Sequence, residues 1–194
     1  MTGSHPADAP SSADQVYPPE PWDLRGSGQL SLWRLPSADL PDLPAGARPL
    51  TVRGQALACS AFVQYDETGL LPYSELLAGV VVRSPVGTGL SITHIWVDSP
   101  TSQAGGRELW GIPKQLAEFG DPDHDERSAT VRGEEIASAR FLPARPPALP
   151  LPIPLPARTI QTLAGATVAS RLLMRGRLRW ARATWDLPAG GELA

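Results

Sequence analysis

The sequence predicts a mainly β chain, an α+β fold built on a largely antiparallel sheet with one or two short helices. Three observations predict it. Short apolar segments recur in which alternate residues share a character, the mark of strands with one face on a core. Turn-formers punctuate them throughout, with 18 glycines and 22 prolines in 194 residues. One stretch, 98–111, carries both a helix start signal and a helix stop signal. Pattern alone leaves a sandwich and a barrel open.

The length suits one domain with a substantial core rather than two. Residues 1–21 are mostly Ser, Ala, Asp and Pro with few apolar anchors and are expected to form a disordered tail. The domain is expected over 22–188. Within it, 29–35 alternates as a strand, with Leu30, Leu32 and Arg34 on one face and Trp33 on the other. Segment 35–48 is a connection, because Pro36, Pro41 and Pro44 prevent a helix or a central strand. Segments 50–53 and 56–65 read as strands, and Asp66-Glu67-Thr68-Gly69 as a turn. Segment 74–83 is β-branched and apolar enough for a buried strand, although its first half also suits a helix. Another strand follows at 90–97.

Asp98-Ser99-Pro100 is a helix start, a capping side chain before a proline suited to the first turn. The helix is expected over 101–110, although Gly105 and Gly106 each cost about 1 kcal/mol relative to alanine. Gly111 is placed to cap it and Pro113 prevents its continuation. A strand is expected at 114–119, with Lys114, Leu116 and Glu118 on one face, followed by an acidic turn at 120–126. Segments 128–132 and 136–141 form a hairpin. Segment 141–156 holds seven prolines and reads as an extended crossing rather than a polyproline ligand. Strands at 158–163, 166–175 and 177–185 close the domain, the last two joined at Gly176, and 189–194 is a loose end.

Composition narrows the function. A formal charge of −3 and a pI near 5.6 give no footprint for nucleic acid. No apolar run is long enough for a membrane helix, and the N-terminus has neither the basic start nor the apolar core of a signal peptide, so a cytoplasmic location is expected. The lone Cys59 excludes an intramolecular disulfide and a multi-cysteine metal site, and reads as a small core residue. His5, His94 and His124 lack ligand spacing, and His94 reads as a hydrogen-bonded strand residue. No phosphate loop, Ser-His-Asp pattern or metal motif stands out in the sequence either.

The residue that stands out is Lys114. It is the single lysine beside sixteen arginines. Arginine cannot give up its proton in a protein, whereas a desolvated lysine amine can become a nucleophile. Leu109, Trp110, Ile112, Leu116 and Phe119 surround it in sequence and make desolvation plausible. Pro113 pushes Ile112 towards extended geometry and fixes its own φ, so Lys114 leaves a rigid corner. Such an anchor suits an amine that must meet its substrate in one geometry.

The surrounding words, Gly106-Arg107-Glu108-Leu109-Trp110-Gly111-Ile112-Pro113-Lys114-Gln115-Leu116, resemble the signature of the acetoacetate decarboxylase superfamily. That signature reads Gly-Arg-Glu, two variable residues, Gly, one variable residue and Pro-Lys-Lys-Leu; every fixed position agrees except Gln115, which replaces the second lysine. The resemblance implies that Lys114 forms a Schiff base with a small keto-acid substrate; the lysine of acetoacetate decarboxylase is a standard case of an activated amine. It also implies a sheet curled into a barrel or cone around that lysine, a metal-free and cofactor-free enzyme, and a homo-oligomer. More weakly, Asp66 to Glu75 is similar to the family's Asp-x-x-Gly-Leu turn leading into Tyr-x-Glu, which places Glu75 at an active-site glutamate position. Glu75 is expected either at a distance from the amine or protonated, since an ionised carboxylate in contact holds an amine in its charged form.

The sequence departs from the family in two further places. Ser60 occupies the position of a second glutamate, and the family's N-terminal substrate-binding arginine has only Arg25, with Arg34 as second choice. Arg25, Ser60 and Gln115 are therefore the candidate substrate-binding positions. The resemblance implies decarboxylation of acetoacetate or a similar 3-keto acid. The departures favour aldol addition, dehydration or cyclisation through the same imine, and a small-molecule-binding relative without catalysis is the third reading.

Overall fold

A computed structural model describes residues 17–121, 125–143, 155–191 and 193. In chain order they form β1 (Gly26–Pro36), a 3-10 turn at Ser37–Asp39, β2 (Arg48–Pro49), β3 (Thr51–Val52), β4 (Gln55–Tyr65), β5 (Tyr73–Ser84) and β6 (Gly87–Val97). There follow α1 (Pro100–Trp110), β7 (Lys114–Leu116), β8 (Glu118–Phe119), β9 (Glu126–Val131), β10 (Glu134–Pro143), β11 (Leu155–Leu163), β12 (Ala166–Met174) and β13 (Ala181–Asp186). A mainly β chain is what the sequence predicts, and the described residues hold one α-helix where one or two short helices are expected.

The strands fall into two sheets. The first runs β1-β4-β5-β6-β11-β12, with β2, β3 and β7 added along its path; the second runs β13-β10-β9-β8. Pairing is antiparallel except where β6 meets β7 and touches β11. The two sheets are not closed into a barrel, in contrast to the expected barrel or cone. A second difference helps to explain the first. The expected strand 114–119 breaks at Ala117: Lys114–Leu116 pairs with β6 of the first sheet, whereas Glu118–Phe119 pairs with β9 of the second. The chain thus changes sheets there, and Glu118 does not share the lysine's strand. Nor do 166–175 and 177–185 form a hairpin at Gly176. β12 pairs with β11, while β13 crosses to β10 so that Trp185 can enter the space between the sheets.

The side-chain period of two gives the central strands two faces. One packs on the second sheet through Phe62, Leu76, Trp96, Ala129, Ala137 and Phe141. Trp185 stacks on Phe62 with ring centroids 5.4 Å apart and meets Phe141 edge-on at 5.8 Å. The alternate residues of β5, Tyr73, Glu75 and Leu77, turn to the side where α1 lies. There Ile92, Ile95 and Ile112 pack with Leu77 and Trp110. A bulge at Thr93 shifts the β5–β6 register between Ala78 and Gly79, which brings Ile92 and Ile95, three apart in sequence, into one cluster.

Other expectations meet the structure individually. Cys59 is buried and His94 bonds Thr93 Oγ1 through Nδ1 at 3.1 Å. Leu30 and Leu32 are 63 % and 76 % exposed, so the leucine face of β1 is turned to solvent while Trp33 reaches Trp185. Of the expected tail, residues 1–16 lie outside the described residues, as do His124 and the prolines of 144–154. Tyr17 and Glu20 bind α1: the Tyr17 hydroxyl donates to Glu108 Oε2 at 2.7 Å, and Trp110 Nε1 donates to Glu20 Oε2 at 3.0 Å. Among the described residues no helix is long and apolar enough to cross a membrane.

Candidate active site

Lys114 owes its position to the end of α1. Ser99 caps the helix start, its Oγ accepting from the Ser102 N–H, with Pro100 in the first turn. At the other end Gly111 takes φ 65° and ψ 21°, a left-handed cap that suits glycine. Its N–H donates to the Arg107 carbonyl, the αL closure, and the Ile112 N–H reaches back to the Gly106 carbonyl. The Lys114 N–H then donates to the Ile112 carbonyl at 2.8 Å across Pro113, a three-residue turn that fixes the corner. From there the lysine enters β7 opposite Ile95.

Its side chain runs back under the helix over Gly106. A Cβ at Gly106 would lie 2.6 Å from Lys114 Cδ and 2.9 Å from Cε. At Gly105 a Cβ would meet the Trp22 ring at 2.5 Å, and Trp22 in turn meets Trp110 edge-on. The two glycines that weaken the helix are therefore the residues that let it be approached closely on two sides.

The amine ends in a buried polar cluster. Lys114 is 3 % exposed, and its Nζ donates to Ser102 Oγ at 2.8 Å, Glu75 Oε2 at 3.1 Å and the Tyr73 hydroxyl at 3.3 Å. Three acceptors match the three hydrogens of an ammonium group. Nζ also lies 4.9 Å from the centre of the Tyr73 ring. Tyr73 and Glu75 are two apart on β5 and so share a face. The mouth of β5 is clamped to the end of β6: the Ser74 N–H donates to Asp98 Oδ1 at 2.8 Å, and the Asp98 N–H to the Ser74 carbonyl at 3.3 Å. Burial first, then the charge of Glu75 and the neighbouring Tyr65, holds the Tyr73 phenol far above its ordinary pKa. Tyr65 is raised likewise by burial and Glu75, against a hydrogen bond from Tyr73. Both are neutral hydroxyls that can donate and accept.

The structure brings together only Lys114 and Glu75 of the predicted site residues. Glu75 is in direct contact, so the expected distance from the amine is not found. Ser60 is buried on the opposite face of β4, where it accepts from Trp33 Nε1 at 2.8 Å beside the inter-sheet core. Gln115 follows Lys114 on β7, points the other way and is exposed. Arg25 is exposed and pairs with Asp23 at 3.2 Å; Arg34 is exposed as well. Sequence reasoning missed Ser102, Tyr73 and Tyr65. Tyr73 was signalled by its place two before Glu75, whereas nothing local marked Ser102. Among the described residues no three His, Cys, Asp or Glu side chains are grouped to hold a metal ion.

A buried lysine paired with a glutamate thus lies under a glycine-bearing helix, and comparison with known proteins shows the family. The acetoacetate decarboxylase (ADC) family model matches residues 43–159, more than half of the chain and including both Glu75 and Lys114. The chain belongs to the acetoacetate decarboxylase family. Its fold is similar to that of an acetoacetate decarboxylase from Legionella pneumophila, with TM-score 0.64 and 18 % identity over 94 % of this chain and 79 % of that one. It is also similar to the enduracididine biosynthesis enzyme MppR, solved with the condensation product of pyruvate and imidazole 4-carboxaldehyde, at TM-score 0.57 and 18 % identity over 90 % and 79 %. A third relative in fold is an acetoacetate decarboxylase-like enzyme from Sphingomonas wittichii RW1, at TM-score 0.60 and 15 % identity over 95 % and 85 %. Among curated proteins none matches the sequence.

Proposed function

We propose that this protein is a lysine Schiff-base enzyme acting on a small keto acid, and that its reaction is decarboxylation of acetoacetate or a similar 3-keto acid. One observation carries the reading: the chain's single lysine is buried with its Nζ 3.1 Å from the equally buried Glu75. Unlike an exposed amine, this one has a carboxylate within reach to take its proton. Transfer from Nζ to Oε2 leaves a neutral amine and a neutral acid, the pair the reaction needs. The amine attacks the ketone carbon, and the acid returns its proton to the departing hydroxyl, so that water leaves and a protonated imine remains. The C–C electrons then pass to the imine nitrogen as CO₂ departs. Protonation of the enamine carbon and hydrolysis release the product and restore Lys114. Ser102 and Tyr73 hold the amine in place between turnovers, and solvent supplies the proton that the enamine carbon takes up and the water that hydrolyses the imine.

A second reading keeps the imine and changes the bond made or broken, to aldol addition, dehydration or cyclisation. It is favoured by Ser60 and Gln115, neither of which brings a second carboxylate or a second amine to Lys114, and by the pyruvate condensation product in MppR.

Borohydride trapping with acetoacetate, pyruvate and longer 3-keto acids, followed by peptide mass spectrometry, tests both. A reduced adduct on Lys114, absent from Lys114→Arg, is the expected result, with CO₂ release separating the two reactions. Absence of an adduct with every keto acid would reject imine chemistry and favour a binding role.

A further inference from the structure

The first sheet ends on both sides in a strand with an open edge. Among the described residues β1 forms a backbone ladder only with β4, and β12 only with β11. Edge strands are ordinarily blunted by shortness, lysine, proline or a bulge. β1 lacks these defences over most of its length. It runs eleven residues, and its register with β4 is unbroken from Gly26 to Pro36. Its proline and its one charge, Arg34, fall in the last three residues. Leu30 and Leu32 are exposed on one face of β1, and Trp33 and Leu35 on the other.

The opposite edge is open in a different way. Every residue from Arg171, near the end of β12, to Thr184 in β13 is exposed. Leu172, Leu173 and Met174 are consecutive, so both faces of this strand end are apolar and both are uncovered. Leu178 and Trp180 continue the exposed run, the tryptophan at 77 %. A flat surface could cover one face of such an arm, whereas a neighbouring strand covers both. Laid along β1, the arm would set Leu172 and Met174 beside one apolar face and Leu173 beside the other.

The arm also has a sign. Residues 171–182 hold five arginines and no acid; taking those five from the formal charge of −3 leaves −8 on the rest of the chain. Two such arms side by side would repel each other. The start of β1 is the opposite case: Gly26 and Ser27 line an open recess of about 450 Å³ together with Asp66 and Glu67.

We propose that the arm 171–180 of one copy docks along the β1 edge of a second copy, continuing the first sheet from chain to chain with its arginines towards the Asp66–Glu67 recess. The contact is heterologous, arm on edge, so each copy offers one of each. It is independent of the reaction at Lys114.

Two variants at exposed positions break the halves separately: Leu30→Arg with Leu32→Arg in the edge, and Leu172→Arg with Leu173→Arg in the arm. Light scattering and sedimentation over a range of concentrations should show the parent associated. Each variant alone should associate on the order of a hundredfold more weakly, with a thermal midpoint near the parent's. In an equal mixture the edge variant supplies an intact arm and the arm variant an intact edge, so association should return as pairs. A monomeric parent overturns the proposal, as does a parent whose association neither variant weakens, or a mixture that stays monomeric. A monomeric parent that binds phosphatidylcholine vesicles only when they contain phosphatidylglycerol would replace the second copy with an anionic membrane. Should either variant not fold, hydrogen exchange of the parent decides. Segments 26–36 and 171–180 should gain protection together as the protein associates, and unchanged exchange in either one overturns the contact.

Discussion

On the face of β4–β6 that meets the second sheet, Phe62, Leu76 and Trp96 are 2 %, 0 % and 1 % exposed; on the face beneath α1, Tyr73, Glu75 and Lys114 are 5 %, 5 % and 3 % exposed. Burial is nearly equal and the materials are opposite. The first face gains stability from every side chain it removes from water. The second consists of groups that are costly to bury and are tolerated because each supplies the other's hydrogen bonds. A buried ion pair such as Lys114–Glu75 contributes little net stability once desolvation is counted. One strand, β5, thus alternates between residues that hold the fold and residues that hold the buried lysine.

The sharpest way to break that contrast is a pair of substitutions one position apart in register. Glu75→Gln should lower turnover on the order of 10²–10⁴-fold with whichever keto acid labels Lys114, while shifting the denaturation midpoint less than the core variant does. Phe62→Ala, whose residue pairs with Leu76, should cost about 3–5 kcal/mol of stability and leave the turnover of the folded fraction near the parent value. Urea titration and steady-state kinetics on both proteins check the pair. Equal losses of activity, or a stable Phe62→Ala, would show that the faces are not energetically separate.

A smaller effect is expected at Gly106, where the helix meets the lysine. Gly106→Ala should gain up to about 1 kcal/mol in helix propensity. The added methyl would stand 2.6 Å from Lys114 Cδ, so the side chain must move. A displacement of about 1 Å is enough to lower kcat on the order of 10²-fold. The borohydride adduct should form more slowly by a similar factor, while the melting temperature holds or rises. A variant with unaltered kinetics would mean that the lysine can reach its partners by another route.

The apolar face was more legible in the sequence than the polar one, for a physical reason. Strand alternation and turn residues are local, so β4, β5, β6, the β9–β10 hairpin and both caps of α1 could be read within a few residues of themselves. Lys114 was legible as the one lysine in a Pro-anchored corner, and Glu75 by resemblance. Ser102 was not, because a serine inside a helix acquires a role only when Lys114 folds back beneath it. The break at Ala117 and the crossing of β13 to β10 were likewise hidden. Which sheet a short strand joins depends on partners far along the chain, and Trp185 finds Phe62 across more than a hundred residues. Ser60 and Gln115 show the converse: position in a motif placed them at the site, whereas strand parity turns both away from the lysine.

Cys59 offers the finest test, because it lies on the helix-side face of β4, two residues before Ala61, yet belongs to no polar cluster. Burial alone pushes its thiol from 9.0 up to about 11. Alkylation at pH 8 should therefore be about a hundredfold slower in the native protein than in the unfolded chain, since thiolate is the reacting form. The same shift sets a sign for stability. The native thiol keeps its proton at pH values where the unfolded one has lost it, so its contribution is intact below pH 9.0 and is lost as pH rises towards about 11. Parent and Cys59→Ala should consequently converge in their pH dependence below 9 and diverge above it, the parent losing more. Native alkylation as fast as that of the unfolded chain would mean that water reaches this face away from Lys114. The burial that separates the amine from the solvent would then be confined to the lysine's immediate partners rather than shared by the whole helix side of the sheet.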